Sequence, residues 1–163
     1  LKLIVPAVPA QRQRIEQVIQ ASGLNGAVQV VDGQSHAVLA ACDVTLIASG
    51  TATLEAALFK RPMVIGYHMH PVSWWLMRRK QLQPWVGLPN ILYRDFVVPE
   101  LIQDAATPQA LCAAALQWLH ARHDNPQKIS DLEQRFTALH ESLLRDTPQL
   151  AADAIQKIIF PSA

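Results

Sequence analysis

The sequence predicts an α/β fold, a parallel sheet flanked by helices that passes into a helical C-terminal half. Three features predict it. Short apolar runs alternate with helix-like stretches from residue 1 to residue 67. The runs are apolar throughout rather than at every second position, as in parallel strands covered on both faces. Beyond Tyr67 the spacing of apolar residues becomes helical.

Taken in order, "LKLIVPAV" (residues 1–8) reads as a buried strand, with Pro6 and Pro9 near its end, where a missing N–H matters least. "QRQRIEQVIQAS" puts Ile15, Val18 and Ile19 on one helical face, and Gly23 stops it. "AVQVV" is a second strand closed by Asp32-Gly33, and "SHAVLAACD" a short helix with Ser35 as N-cap. "VTLIA", the helix "TATLEAALFK" and the strand "PMVIGY" follow. "PVSWWLMRRKQL" is an aromatic and basic helix, "GLPNIL" a loop, and "VPELIQ" the start of a short helix at Pro99. "TPQALCAAALQWLHARH" is a long helix with Thr107 as N-cap and Pro108 at its first position. In the next helix Ile129, Leu132, Phe136, Leu139 and Leu143 recur at helical spacing, and "TPQLAADAIQKII" closes the chain.

No linker separates two halves, so residues 1–163 read as a single domain. A hydrophobic content of 50%, a charged content of 17% and a net charge of +1 exclude a global bias toward nucleic acid or acidic partners. Cys42 and Cys112 are distant in sequence and set in apolar surroundings, which points to core filler in a reducing compartment rather than a disulfide or zinc site. No run approaches the ~18 apolar residues of a membrane span. The chain opens on Leu1 already inside an apolar run, which reads as a piece of a longer protein.

The junction "IASGTATLE" carries the chemistry. The carboxyl edge of a parallel sheet is where open α/β folds take ligands. A helix starting at Thr51 presents free N–H groups and the positive end of its dipole there. Gly50 lets the backbone approach an oxygen closely, and Ser49, Thr51 and Thr53 add hydroxyls, so the junction suits a phosphate. Glu55, one turn on, would repel a phosphate but can accept from both hydroxyls of a ribose. The same residues also make an ordinary helix start, with Ser49 or Thr51 as N-cap and a glutamate near the dipole. Neither G-x-G-x-x-G nor G-x-x-x-x-G-K-[ST] occurs.

"SGTATLE" followed by "LPN" resembles lipid-A-disaccharide synthase, and the likeness in order and spacing covers essentially the whole chain. The resemblance implies a Rossmann-like sheet belonging to a two-domain (GT-B) architecture, with this chain as the truncated C-terminal UDP-sugar-binding domain and the acceptor domain absent. It implies an inverting glycosyltransferase of lipid A biosynthesis. That enzyme moves 2,3-diacylglucosamine from UDP to 2,3-diacylglucosamine 1-phosphate, and the fragment alone would bind UDP without catalysing transfer. Residue by residue, it gives the diphosphate to the backbone around Ser49, Gly50, Thr51 and Ala52, with Thr53 beside them, and the ribose to Glu55. Asn90 of "LPN" falls at the active cleft, as a donor to a phosphate or sugar oxygen. The loop "DGQSH", with Gly33 and Gln34, meets the uracil. No cofactor or metal is implied. The partners are the two lipid substrates, with no nucleic acid. A cytoplasmic location with peripheral contact at the inner membrane follows, and a homodimer is allowed. The family's glycine-rich loop ending in serine and arginine, and the aspartate proposed as its general base, have no counterpart in these residues.

His68 and His70 flank Met69, but H-x-H without a third ligand reads as loop histidines. "SWWLMRRK" has two readings. Its tryptophans pack the helix on the sheet while the cations face water, which the sequence favours, or it is an interfacial membrane anchor. Two further functions stay open: another UDP-sugar transferase or epimerase of the same architecture, and a non-catalytic nucleotide-sugar-binding module that recruits a partner domain.

Overall fold

The computed structural model describes residues 1–48 and 50–160. Among the described residues, five strands and eight α-helices follow in the order β1 (Leu3–Ala7), α1 (Pro9–Ala21), β2 (Val28–Asp32), α2 (Ser35–Ala41), β3 (Thr45–Ile47), α3 (Thr51–Leu58), β4 (Met63–Tyr67), α4 (Pro71–Lys80), α5 (Leu88–Tyr93), β5 (Glu100–Ile102), α6 (Pro108–Asp124), α7 (Pro126–Leu143) and α8 (Thr147–Ile159). The α/β class and the parallel sheet agree with the sequence.

The strands form two ladders. β1 pairs with β2, Val5 opposite Val30. β4 lies between β3 and β5, with Leu46 opposite Val64 and Gly66 opposite Leu101. No ladder joins β1 to β3 among the described residues. The core gathers around β4, whose Met63, Val64 and Ile65 are fully buried. α7 contributes Leu132, Phe136 and Leu139, α6 contributes Trp118, and α3 contributes Ala56 and Ala57. Truncating Phe136 to Ala would cost ~3–5 kcal/mol. α7 is also held to α5 from outside, where Arg135 hydrogen-bonds Asp95 at 2.8 Å and keeps that carboxyl below its usual range.

Several local expectations change. "GLPNIL" is not a loop: Gly87 precedes α5, Pro89 brings a helical φ, and Arg94 closes the turn at φ 53°. "VPELIQ" is not a helix. Its three-residue strand β5 pairs with β4, and the 3-10 turn Gln103–Ala105 follows. Ser35 is the first residue of α2 rather than its cap, because Gln34 turns the chain at φ 58°. Pro9 starts α1 instead of ending β1. Cys112 and Leu143 are exposed, on the outer faces of α6 and α7. Trp75 is 54% exposed, so the favoured packing of the tryptophans on the sheet does not hold for it, whereas Trp74 is half-buried.

Candidate functional site

All strands of a parallel ladder end at one edge, and α3 begins at that edge, directly after β3. Its N-cap is Gly50, at φ 126° and ψ −166°. A side chain at this φ is strained even though open space surrounds the Cα. Thr51 is the first helical residue and therefore not the cap, which removes the Thr51 form of the ordinary helix start. Ser49 lies outside the described residues. Thr51 and Ala52 are exposed, so the first N–H groups of α3, which geometry leaves without intrahelical partners, open toward solvent at the positive end of the helix dipole. The arrangement can hold an anion.

Thr53 does something else. It is fully buried, its hydroxyl donating to Gly50 O at 2.7 Å and accepting from Leu88 N at 3.2 Å. It is correctly placed beside the junction but has no hydroxyl to offer a ligand; it ties the turn at Gly50 to the segment Leu88-Pro89-Asn90.

Asn90 requires the same correction. The sequence puts its amide at a ligand, yet the residue is 0% exposed. Its Nδ2 donates to Val98 O and to Glu100 Oε1, both at 2.9 Å, and its Oδ1 accepts from Val98 N at 3.0 Å. Both N–H groups are thereby committed. Glu100 completes the lattice, with Oε1 accepting from Gly87 N at 2.8 Å and Oε2 from Val86 N at 2.9 Å. Gly87 packs tightly, since a Cβ there would stand 2.2 Å from Ile65 Cδ1 and force that side chain to move. The two motifs "SGTATLE" and "LPN" are thus mechanically joined: Asn90 and Glu100 hold α5 on β5, and Thr53 ties that lattice to the turn at Gly50.

Glu55 stands one turn into α3, half-exposed, with Oε2 at 3.3 Å from His36 Nε2. His36 is the second residue of α2, and its ring lies 5.6 Å from that of Phe59. Gly33 and Gln34, at φ 60° and 58°, form the turn itself, and Gly33 N donates to Ala7 O at 2.8 Å. The structure therefore sets Glu55, on the helix that Thr51 and Ala52 begin, beside His36 at the end of the segment 32–36, and sends Thr53 and Asn90 inward. His36, as the side-chain contact to Glu55, escaped the sequence reading; a lone histidine carries no signal of its own. Gln103 escaped too: its side-chain amide accepts from Met69 N at 2.6 Å and donates to Met69 O at 3.1 Å, clamping the loop after β4. His70 Nδ1 accepts from Val72 N and caps α4.

The sequence profile of a family described as lipid-A-disaccharide synthetase matches residues 1–155. A lipid-A-disaccharide synthase of Verminephrobacter eiseniae is 71% identical over 98% of the chain, and one of Albidiferax ferrireducens is 67% identical over the same share. One of Thiobacillus denitrificans is 49% identical over 95% of it. The chain spans 41% of the length of the first two relatives and 40% of the third.

Proposed function

Because the chain belongs to the lipid-A-disaccharide synthetase family, we propose that it is the donor-binding part of an inverting glycosyltransferase of lipid A biosynthesis. The intact protein moves 2,3-diacylglucosamine from UDP to the 6-hydroxyl of 2,3-diacylglucosamine 1-phosphate. The observation that carries this is the meeting of an open helix N-terminus at Gly50 with the Glu55 carboxylate and the loop at residues 32–36. Diphosphate, ribose and base find an anion cradle, a bidentate acceptor and a backbone turn in that order.

In this reading the amides from Gly50 to Ala52 face the diphosphate. The acceptor oxygen attacks the anomeric carbon as its bond to the UDP oxygen breaks, with inversion. The leaving electron pair settles on the diphosphate, where N–H groups and the helix dipole meet it. The acceptor's proton passes to a base outside these 163 residues, and no metal takes part. Asn90 and Thr53 act by positioning. The protein works at the cytoplasmic face of the inner membrane, where both lipids reside.

The test is Glu55→Ala in the full-length protein. Loss of a charge-assisted hydrogen-bonding group of ~1.5–3 kcal/mol raises the KM for the UDP donor about tenfold to a hundredfold, with acceptor KM and melting temperature unchanged. An unaltered donor KM would remove Glu55 from the ribose site.

A further inference from the structure

We propose that the exposed face of α4 is a docking surface for an anionic lipid bilayer. A surface helix ordinarily turns its apolar stripe inward and its polar face to water. α4 does otherwise. Val72, Trp75, Leu76 and Arg79 follow one another at i, i+3, i+4 and i+7, and the three apolar members are 66%, 54% and 49% exposed. Trp74 and Met77 are the half-buried residues of the helix. Leu82, just beyond its end, is 100% exposed. The Arg79 guanidinium lies 3.8 Å from the centre of the Trp75 ring, which sets a charge beside the indole.

Charge selects the occupant. Between Glu55 and Asp95 the chain has no Asp or Glu, whereas Lys60, Arg61, Arg78, Arg79, Lys80 and Arg94 fall in that interval. Lys60 and Arg61 are engaged with carbonyl oxygens of Leu58 and Leu39. Among the described residues Arg78, Arg79 and Lys80 make no ion pair. An exposed indole and aliphatic stripe flanked by three cations without a carboxylate partner among the described residues matches the boundary between acyl chains and anionic headgroups. No helix among the described residues is long and apolar enough to cross a membrane, so the contact is peripheral. α4 follows the carboxyl end of β4, so the bilayer would meet the molecule at the same edge as the Gly50 opening.

The inference rests on the lipid-substrate reading, and its test measures binding rather than transfer so that the two fail separately. The full-length protein is sedimented with phosphatidylethanolamine–phosphatidylglycerol vesicles and with phosphatidylcholine vesicles. The variant R78Q/R79Q/K80Q loses on the order of a hundredfold in affinity for the anionic vesicles, from about fivefold per cation. It keeps its weaker affinity for the neutral ones and an unchanged KM for a UDP donor in detergent. Trp75→Ala with Leu76→Ala weakens binding to both vesicle types. Since these side chains are exposed, melting temperatures stay at the parent value. Vesicle binding unaltered in both variants would overturn the proposal. So would vesicle binding lost only together with the melting transition, which would show α4 covered by another part of the protein.

Discussion

The unit β1–α1–β2 and the unit around β4 are built from similar ingredients and end up differently. "LIVPA" and "VQVV" are as strand-like as "MVIGY". Yet within residues 3–32 Ala7 is the buried residue, while Met63, Val64 and Ile65 reach 0% exposure. Leu3 and Ile4 of β1 are 43% and 36% exposed, and Leu46 of β3 is 58% exposed. The reason is neighbours. β4 has a hydrogen-bonded strand on each side and α3 and α6 against it, whereas β1 has β2 on one side and, among the described residues, no ladder on the other. An all-apolar strand sequence states the surroundings it needs, and only one of the two units has them within this chain. Its relatives extend over more than twice the matched length, since the match takes 41% of theirs.

The largest test of the contrast is a charge placed in each unit. Val64→Asp buries a carboxylate in β4 without a partner and abolishes folding, a loss of several kcal/mol. Leu3→Asp in the same chain costs about 0.5 kcal/mol or less, as for an ordinary surface change. Equal losses in urea denaturation would break the comparison. Next comes Asn90→Ala, which leaves the N–H and C=O of Val98 unpaired in the interior at ~1–3 kcal/mol each. Its melting temperature should fall sharply. A parent-like melting curve together with lost transfer would instead put the amide at the ligand. The mildest effect is association. The open edges of β1 and β3 make the 163-residue chain on its own self-associate reversibly as its concentration rises. A clean monomer in sedimentation velocity at high concentration would contradict that.

Much of this was legible where a local signal coincided with the final environment. Thr107-Pro108 opens α6 as read, with the Thr107 hydroxyl accepting from Ala110 N, and Leu132, Phe136 and Leu139 face the core. β5 and α5 were not legible. Three residues show no period, and their pairing with β4 is decided by tertiary contacts over thirty residues away in the chain. The start of α3 at Gly50-Thr51 was legible because small and hydroxyl residues between an apolar strand and a helical stretch mark a helix N-terminus. The inward turn of Asn90 was not, since an amide beside a proline looks alike whether it serves a ligand or two backbone groups. The outward turn of Trp75 ran against the usual rule that tryptophan is buried, and the sequence marks it only by the cations that follow.

The central claim is that the opening formed by Gly50, Thr51, Ala52, Glu55 and the loop at residues 32–36 holds a uridine diphosphate. Hydrogen exchange of the full-length protein with saturating UDP, with AMP as control, tests it most directly. UDP should slow exchange in peptides covering residues 50–56 and 32–38 and leave residues 88–100 unchanged, because the Asn90 lattice is already closed. AMP should do neither. Protection confined to residues 88–100, or none in either segment while UDP binding is saturated by calorimetry, would contradict the account.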